Sequence, residues 1–233
     1  MPRSIPRPRA VLFDLFDTLV PAMWDSVANP PTWQDLGIPI EAWQERWVAD
    51  GDGRATGRVT DPITVLRIVA HHIDPAIPEE RIAWAAERRL RRFEQMLTSV
   101  DPGTVAAVGR LRAAGVKIAL VSNACVGEIE AWPQGPLAPH FDAAVFSCHV
   151  GVAKPDRGIY EHALSAIGIE ARDALFVGDG GSNEHVGARA LGLRTVLISG
   201  LARGRWVHAM PERRTHADWE FANVPAFVEA LDL

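Results

Sequence analysis

The stretch of residues 11–20 combines an apolar run with a carboxylate, and this combination points to nucleophilic chemistry. Asp14 ends the run that starts at Val11, and Thr18 follows four residues later. Apolar runs of this length are typical of central strands in a parallel sheet that is covered on both faces. Because ligands bind at the carboxyl ends of such strands, we expect Asp14 at the mouth of a crevice, where its carboxylate can act as a nucleophile.

Three further segments place polar residues beside apolar runs or before helix starts. In chain order they supply Ser122 and Asn123 after the run 118–121, Lys154 before Pro155, and Asp179 and Glu184 after the run 174–178. Singly, each has an ordinary structural interpretation, because Ser, Asn and Asp after strands are common turn formers and helix N-caps. Asp179 or Asn183 could cap a helix that begins near residue 183, and Lys154 could be a solvated lysine.

These segments, in this order, resemble the four motifs of the haloacid dehalogenase superfamily. The first motif of that family supplies an aspartate nucleophile, which here is Asp14. The resemblance implies that Asp14 forms an aspartyl-phosphate and that Ser122 and Lys154, with neighbouring backbone N–H groups, stabilise the charge on the phosphoryl oxygens. It also implies that Asn123 orients the phosphate or the loop.

The resemblance implies a magnesium site as well. Mg²⁺ prefers oxygen ligands in near-octahedral geometry and retains several waters. The expected ligands are the carboxylates of Asp14 and Asp179, the carbonyl of Phe16, and Glu184, which stands where many relatives have Asp. In the family's chemistry the metal bridges the nucleophile and the phosphate and offsets their repulsion.

Phe16 departs from the pattern of the family's phosphatases, in which a second Asp stands two residues after the nucleophile. That Asp protonates the leaving group and then activates water, whereas phenylalanine cannot transfer a proton. A positioned general acid or base typically contributes about 10²–10⁴-fold in rate. Either the substrate has a good leaving group, or another residue or water replaces the acid. Asp17 is a candidate, although a turn residue bonded to nearby N–H groups is the favoured interpretation.

These residues predict a magnesium-dependent phosphatase that acts on a small phosphorylated metabolite. Two alternatives stay open because of Phe16. An aromatic residue at this position also resembles the dehalogenase branch, so Asp14 could hydrolyse a carbon–halogen or carbon–phosphorus bond. Asp179 argues against that branch, which has a Ser-Ser-Asn-type sequence in place of Gly178-Asp179. The second alternative is a non-catalytic protein that binds a phosphorylated ligand or a partner protein.

The gap between Asp14 and Ser122 is much longer than a parallel crossover needs, and much of it has a helical pattern. Residues 79–97 carry apolar side chains at three- and four-residue steps, with acidic residues first and basic residues later, which predicts an amphipathic helix. Further helices are expected near residues 40–49 and 61–73. The resemblance implies that residues 21–98 form a helical cap, and that residues 1–20 and 99–233 form a Rossmann-like catalytic core.

Strand and helix patterns alternate after the cap, which predicts an α/β fold with a parallel sheet. Strands are predicted near residues 116–121, 143–147, 174–178 and 194–198, with helices near 104–114, 156–167 and 183–191. The segment 201–233 has no comparable pattern, and its histidines and tryptophans show no metal-ligand spacing.

Several cap residues are candidates for contact with a substrate. Trp24 and Trp33 follow the first motif and are candidates for lining the substrate site. The polar, glycine-rich segment 50–58 predicts a loop from which Arg54 or Arg58 can reach a substrate anion, with an ordinary exposed loop as the alternative. The arginines of the amphipathic helix, Arg88, Arg89, Arg91 and Arg92, are expected on a solvated face partnered by Glu87 and Glu94.

The composition limits the classes of partner. The chain has 233 residues and a net charge of −5, which disfavours a general binder of nucleic acid or anionic membranes. No apolar run is long enough for a membrane span. The chain has only two cysteines, Cys125 and Cys148, which argues against a fold held together by disulfides. A reducing cytoplasm is therefore the expected location. The expected partner is a small phosphorylated substrate, and the protein is expected as a monomer or a homodimer.

Overall fold

A six-stranded parallel sheet forms the centre of the molecule. The computed structural model describes residues 5–21, 30–201 and 208–233. The strands are β1 Ala10–Phe13, β2 Lys117–Ser122, β3 Ala143–Phe146, β4 Ala174–Gly178, β5 Arg194–Ile198 and β6 Trp219–Phe221. They lie in the order β3-β2-β1-β4-β5-β6. The predicted α/β parallel sheet is confirmed, and β6 is a strand that the sequence pattern did not indicate.

The central position of β1 explains its continuous apolar sequence. Phe13 is in register with Leu120 of β2 on one side and with Val177 of β4 on the other. All four residues of β1 are buried, because strands flank it and helices cover both faces of the sheet. The carboxyl ends of β2, β1 and β4 therefore lie side by side, and the polar residues that follow them meet at one edge.

Twelve helices surround the sheet in the described part of the chain. They are α1 Thr32–Leu36, α2 Ile40–Ala49, α3 Gly51–Ala55, α4 Pro62–Ile73, α5 Glu79–Thr98, α6 Pro102–Ala113, α7 Val126–Ile129, α8 Ser147–Val150, α9 Arg157–Ile167, α10 Glu184–Ala190, α11 Met210–Thr215 and α12 Val224–Glu229. None of these helices combines the length and the apolar composition that a membrane span requires.

Two hydrophobic clusters cover the two faces of the sheet. Val11 and Phe13 point to one face, where they pack with side chains of α6 and α12 such as Leu111 and Phe227. Leu12 points to the opposite face and joins a cluster with side chains of α9 and α10. This alternation follows from the two-residue period of a strand. The two clusters pack β1 from both faces of the sheet, so the backbone at Asp14, the next residue, follows a firmly held strand.

The helices α1 to α5 lie between β1 and β2, and we call these five helices the cap. Side chains of α1, α2, α4 and α5 form a third hydrophobic cluster. Trp43, Leu66 and Ile82 are fully buried in it, and Trp43 stacks on Trp47 with ring centroids 4.8 Å apart. The helices expected near 40–49, 61–73 and 79–97 correspond to α2, α4 and α5. The domain boundaries 1–20, 21–98 and 99–233 stay a prediction.

Two local expectations for the cap were wrong. The segment 50–58 is not wholly a loop, because α3 begins directly after α2. The expected solvated face holds only for Arg91, which is exposed and pairs with Glu87. Arg92 and Arg88 instead donate to the buried carboxylate of Asp35 at 2.8 and 3.0 Å. Arg89 is also buried and pairs with Glu128. The partner carboxylates lie in α1 and α7, far away in sequence. The helical pattern of α5 alone therefore could not predict these ion pairs.

Candidate active site

Asp14 lies directly after β1, where its backbone is held by the neighbouring strand. Its N–H donates to the carbonyl of Val177 in β4 at 2.9 Å, and its side chain is buried. The Thr18 hydroxyl donates to Asp14 Oδ2 at 3.1 Å across a turn in which the N–H of Asp17 donates to the carbonyl of Val20 at 2.7 Å. The four-residue spacing of Asp14 and Thr18 thus orients one oxygen of the carboxylate.

Lys154 brings two carboxylates together. Its Nζ lies 2.5 Å from Asp14 Oδ1 and 2.6 Å from Glu184 Oε2, and all three side chains are buried. The side-chain amide of Asn123 makes two hydrogen bonds to the main chain of Lys154. Its Nδ2 donates to the Lys154 carbonyl at 2.9 Å, and its Oδ1 accepts from the Lys154 N–H at 2.7 Å. This geometry supports a role for Asn123 in orienting the loop that carries Lys154.

The loop after β4 carries the other acidic residues. Asp179 Oδ1 accepts from the N–H of Gly181 at 2.9 Å, and Glu184 Oε1 accepts from the N–H of Gly180 at 2.8 Å. Gly178 allows Glu184 to fold back, since a Cβ at that position would lie 2.1 Å from Glu184 Oε1. Carboxylate oxygens of Asp14, Asp179 and Glu184 all lie within 4.8 Å of one another.

The electrostatics of this group favour a bound cation. Burial raises the pKa of both Asp14 and Glu184, and the charge of Lys154 opposes the rise. Burial alone would lower the pKa of Lys154, but the charges of Asp14 and then Glu184 outweigh burial and raise it, so the amine stays protonated. Three buried carboxylates face the cations of Lys154 and Arg213, which leaves one negative charge when all five groups are ionised. An oxygen-only, net negative donor set fits Mg²⁺.

Ser122 and Phe16 lie on either side of Asp14 at the carboxyl edge of the sheet. Ser122 ends β2, and its buried hydroxyl has no hydrogen-bond partner within the described residues, so it is available to a ligand oxygen. Phe16 is partly buried and packs edge-on against Phe93 of α5, with ring centroids 5.6 Å apart. The aromatic ring thus joins the carboxyl edge of the sheet to α5 of the cap. Metal binding by the Phe16 carbonyl stays a prediction.

Arg54 is not on an exposed loop, as its sequence context suggested. Its guanidinium lies 3.7 Å from the ring centroid of Trp47 and donates to the Trp47 carbonyl. Burial lowers the pKa of Arg54, and its Nη1 is buried without a hydrogen-bond partner in the described part of the chain. Arg89 lies 4.4 Å from the same Trp47 ring and pairs with Glu128, which also accepts from the N–H of Cys125 at 2.9 Å. The two arginines therefore lie close to the segment that follows Ser122.

The remaining sequence candidates occupy other places. Trp33 packs against the core of the cap, and Trp24 lies outside the described residues. Two residues of the site were missed. The Tyr160 hydroxyl donates to the Glu184 carbonyl at 2.7 Å, and Arg213 donates to Asp179 Oδ2 at 2.6 Å. The partners are 24 and 34 residues apart, so no local spacing could have indicated either contact.

Comparison with known proteins agrees with this geometry. The family model for haloacid dehalogenase-like hydrolases matches residues 8–192. The chain belongs to this family. The hydrolase is 30% identical over 214 residues to phosphoglycolate phosphatase of Pseudomonas savastanoi pv. phaseolicola, with 85% of this chain and 72% of the relative covered.

Two further proteins are similar to this chain, one in sequence and one in fold. The hydrolase is 32% identical over 134 residues to phosphoserine phosphatase of Thermus thermophilus, with 57% of this chain and 52% of the relative covered. Its fold is similar to that of L-2-haloacid dehalogenase from Xanthobacter autotrophicus, with a TM-score of 0.64, 19% identity, and 95% and 97% of the two chains covered. At that identity the structural likeness shows the fold alone.

Proposed function

We propose that this hydrolase is a magnesium-dependent phosphatase that acts on a small phosphorylated metabolite through an aspartyl-phosphate on Asp14. The observation that carries the proposal is the position of Asp14, whose carboxylate shares Lys154 with Glu184 and lies within 4.8 Å of Asp179. Asp14, Asp179 and Glu184 would hold Mg²⁺, with the Phe16 carbonyl as a further expected ligand. The bound metal supplies positive charge that reduces the repulsion between a carboxylate and a phosphate.

The chain's own groups account for the two displacements. Thr18 and Lys154 orient the Asp14 carboxylate, one oxygen of which attacks phosphorus while the bond from phosphorus to the leaving oxygen breaks. The Ser122 hydroxyl and the Lys154 ammonium stabilise the charge on the phosphoryl oxygens. Water then attacks the phosphorus of the aspartyl-phosphate, which regenerates Asp14 and releases phosphate. Phe16 supplies no proton, so water protonates the leaving oxygen in this scheme.

The cap suggests the chemistry of the leaving group. The names of the relatives describe phosphatases of phosphoglycolate and phosphoserine, both of which carry a carboxylate. Arg54 and Arg89 both lie against the Trp47 ring near the segment after Ser122, and Glu128 balances only one of their two charges. We therefore propose that Arg54 receives a carboxylate of the leaving group, with Trp24 and Asn123 as further candidates for substrate contact.

Phosphate release tests the proposal directly. We expect Mg²⁺-dependent release from p-nitrophenyl phosphate and from carboxylated phosphomonoesters, which EDTA and Asp14→Asn abolish. Asp173→Asn is the matched control, because Asp173 forms an exposed pair with Arg9 far from the site. No release by the folded, unchanged protein would contradict the proposed function.

A second assay tests the leaving-group specificity. Arg54→Met is expected to raise KM for phosphoglycolate by about tenfold or more, the scale of a lost charge-assisted hydrogen bond, and to leave p-nitrophenyl phosphate hydrolysis unchanged. Arg58→Met is the control, since Arg58 is exposed and pairs with Asp52. Equal effects of Arg54→Met on both substrates would contradict carboxylate recognition by Arg54.

Hydrolysis of a carbon–halogen bond is the second candidate, and Phe16 is the observation that favours it. That reaction needs no acid to protonate a halide leaving group, so an apolar residue at this position is no disadvantage. Chloride release from a 2-chlorocarboxylic acid without phosphatase activity would select this candidate. The retained carboxylate of Asp179 supports the phosphatase instead.

A further inference from the structure

Arg213 of α11 makes a two-point contact with the loop that carries the proposed metal ligands. Its Nη1 donates to the Asp179 carbonyl at 2.9 Å and to Asp179 Oδ2 at 2.6 Å, and both side chains are largely buried. Neither the family motifs nor the sequence pattern of residues 201–233 assigned a role to this residue.

Gly180 shows how closely the arginine is fitted to the loop. Gly180 has a left-handed conformation with φ +83°, and a Cβ built there would lie 2.9–3.0 Å from three carbons of the Arg213 stem. The aliphatic part of Arg213 thus lies directly on the loop, and its guanidinium reaches past it to Asp179. This close packing of the Arg213 stem against Gly180 holds the guanidinium group in position beside Asp179.

The charges give the contact a consequence for ligand binding. With Asp14, Asp179 and Glu184 ionised and with Lys154 and Arg213 protonated, the cluster has a net charge of −1. A bound Mg²⁺ changes this to +1, and a phosphate dianion then returns it to −1. Without Arg213 the same three states have charges of −2, 0 and −2.

We propose that Arg213 is a positioning residue that couples metal binding to phosphate binding, because its charge penalises Mg²⁺ alone and favours Mg²⁺ together with a phosphate group. The inference rests on the proposed magnesium site. Arg213 keeps Asp179 oriented while the metal is absent, and it makes the empty cluster less attractive to a divalent cation. The metal is then held firmly when a phosphorylated substrate is also present.

Isothermal titration of the full chain with Mg²⁺, with and without inorganic phosphate, tests this coupling without any turnover. We expect phosphate to tighten Mg²⁺ binding to the unchanged protein by at least about fivefold, the lower end of typical coupling between sites. In Arg213→Gln, Mg²⁺ alone is expected to bind more tightly than to the unchanged protein, and the effect of phosphate is expected to fall. Arg213→Lys, which keeps the charge, should restore most of the coupling.

Arg214→Gln is the matched control, since Arg214 lies next in the same helix, is 47% exposed and pairs with Glu220 at 2.7 Å. Coupling in Arg213→Gln equal to that in Arg214→Gln would overturn the inference. Weaker binding of Mg²⁺ alone by Arg213→Gln would also overturn it, because that result indicates simple pre-organisation of Asp179. No Mg²⁺ binding by the unchanged protein would instead contradict the proposed function itself. Circular dichroism confirms folding, and Arg213→Lys keeps the test decisive if Arg213→Gln does not fold.

Discussion

Lys154→Met is the perturbation whose effect on stability follows most directly from the structure. The Lys154 side chain is 3% exposed and lies between Asp14 and Glu184, which are 7% and 1% exposed. Methionine has a similar length and no charge, so the substitution leaves two buried carboxylates without their shared donor. Breaking a buried ion pair by removing one partner typically costs about 3–5 kcal/mol.

A matched control exists because the chain has only one other lysine, Lys117. Lys117 lies 3.2 Å from Asp142, and its side chain is 51% exposed. Exposed pairs contribute about 0–1 kcal/mol, so Lys117→Met should change stability little. For a chain of this size, 1 kcal/mol corresponds to roughly 2–4 °C in Tm. We therefore expect Lys154→Met to lower Tm by about 6–20 °C near neutral pH in EDTA, and Lys117→Met by no more than about 4 °C.

The pH dependence of the loss of stability in Lys154→Met provides an independent check. Burial raises the pKa of Asp14 and Glu184, and loss of Lys154 removes the charge that opposes the rise. A carboxyl group whose folded pKa exceeds its unfolded pKa makes the protein less stable as the pH rises through that interval. The stability deficit of Lys154→Met should therefore be larger at about pH 8 than at about pH 5. Equal Tm values for the two lysine variants near neutral pH would refute the assigned charge balance.

Three further substitutions or probes give distinct outcomes. Phe16→Asp should raise the turnover of alkyl phosphates by up to about 10²-fold. The turnover of p-nitrophenyl phosphate, which has a good leaving group, should change less. An unchanged rate with alkyl phosphates in folded protein would show that proton transfer does not limit the reaction. Asp35→Asn should destabilise the protein by about 3–5 kcal/mol in thermal unfolding because Arg92 is left buried without its counter-charge, whereas Glu87→Gln, which alters an exposed pair, should have little effect. The Cys125 thiol, whose pKa burial raises, should resist a thiol reagent at about pH 8 until the protein is denatured; rapid native labelling would contradict its buried position.

The sequence was sufficient where the determining interactions are local or periodic. The strands near 143–147, 174–178 and 194–198 and the helix near 40–49 agree with the structure within one residue, because a buried strand or an amphipathic helix carries its own repeating pattern. The family resemblance grouped Asp14, Asp179 and Glu184, and their carboxylate oxygens do lie within 4.8 Å of one another.

Long-range charge pairing marks the limit of the same reasoning. The sequence of α5 shows alternating charges, and this pattern is typical of a solvated face, yet Arg92 is buried because Asp35, 57 residues earlier, lies beneath it. Arg213 likewise contacts Asp179 from a segment without any clear periodicity. The helix α3 lies in a glycine-rich segment of weak helix propensity, and Arg54 within it packs on the Trp47 ring of α2.

Because β1 and β2 are neighbours in the sheet, the carboxyl edge that carries Asp14 and Ser122 does not depend on the length of the cap between them. Asp14 and Ser122 are 108 positions apart in the sequence, but their strands are neighbours in register, and α6 alone suffices as the crossover between them. The free energy needed to close a loop grows only slowly with its length. The hydrogen bonds between β1 and β2 therefore do not depend on the number of residues that separate the two strands in the sequence. Such an arrangement allows the segment between β1 and β2 to vary in length while Asp14 and Ser122 stay on neighbouring strands.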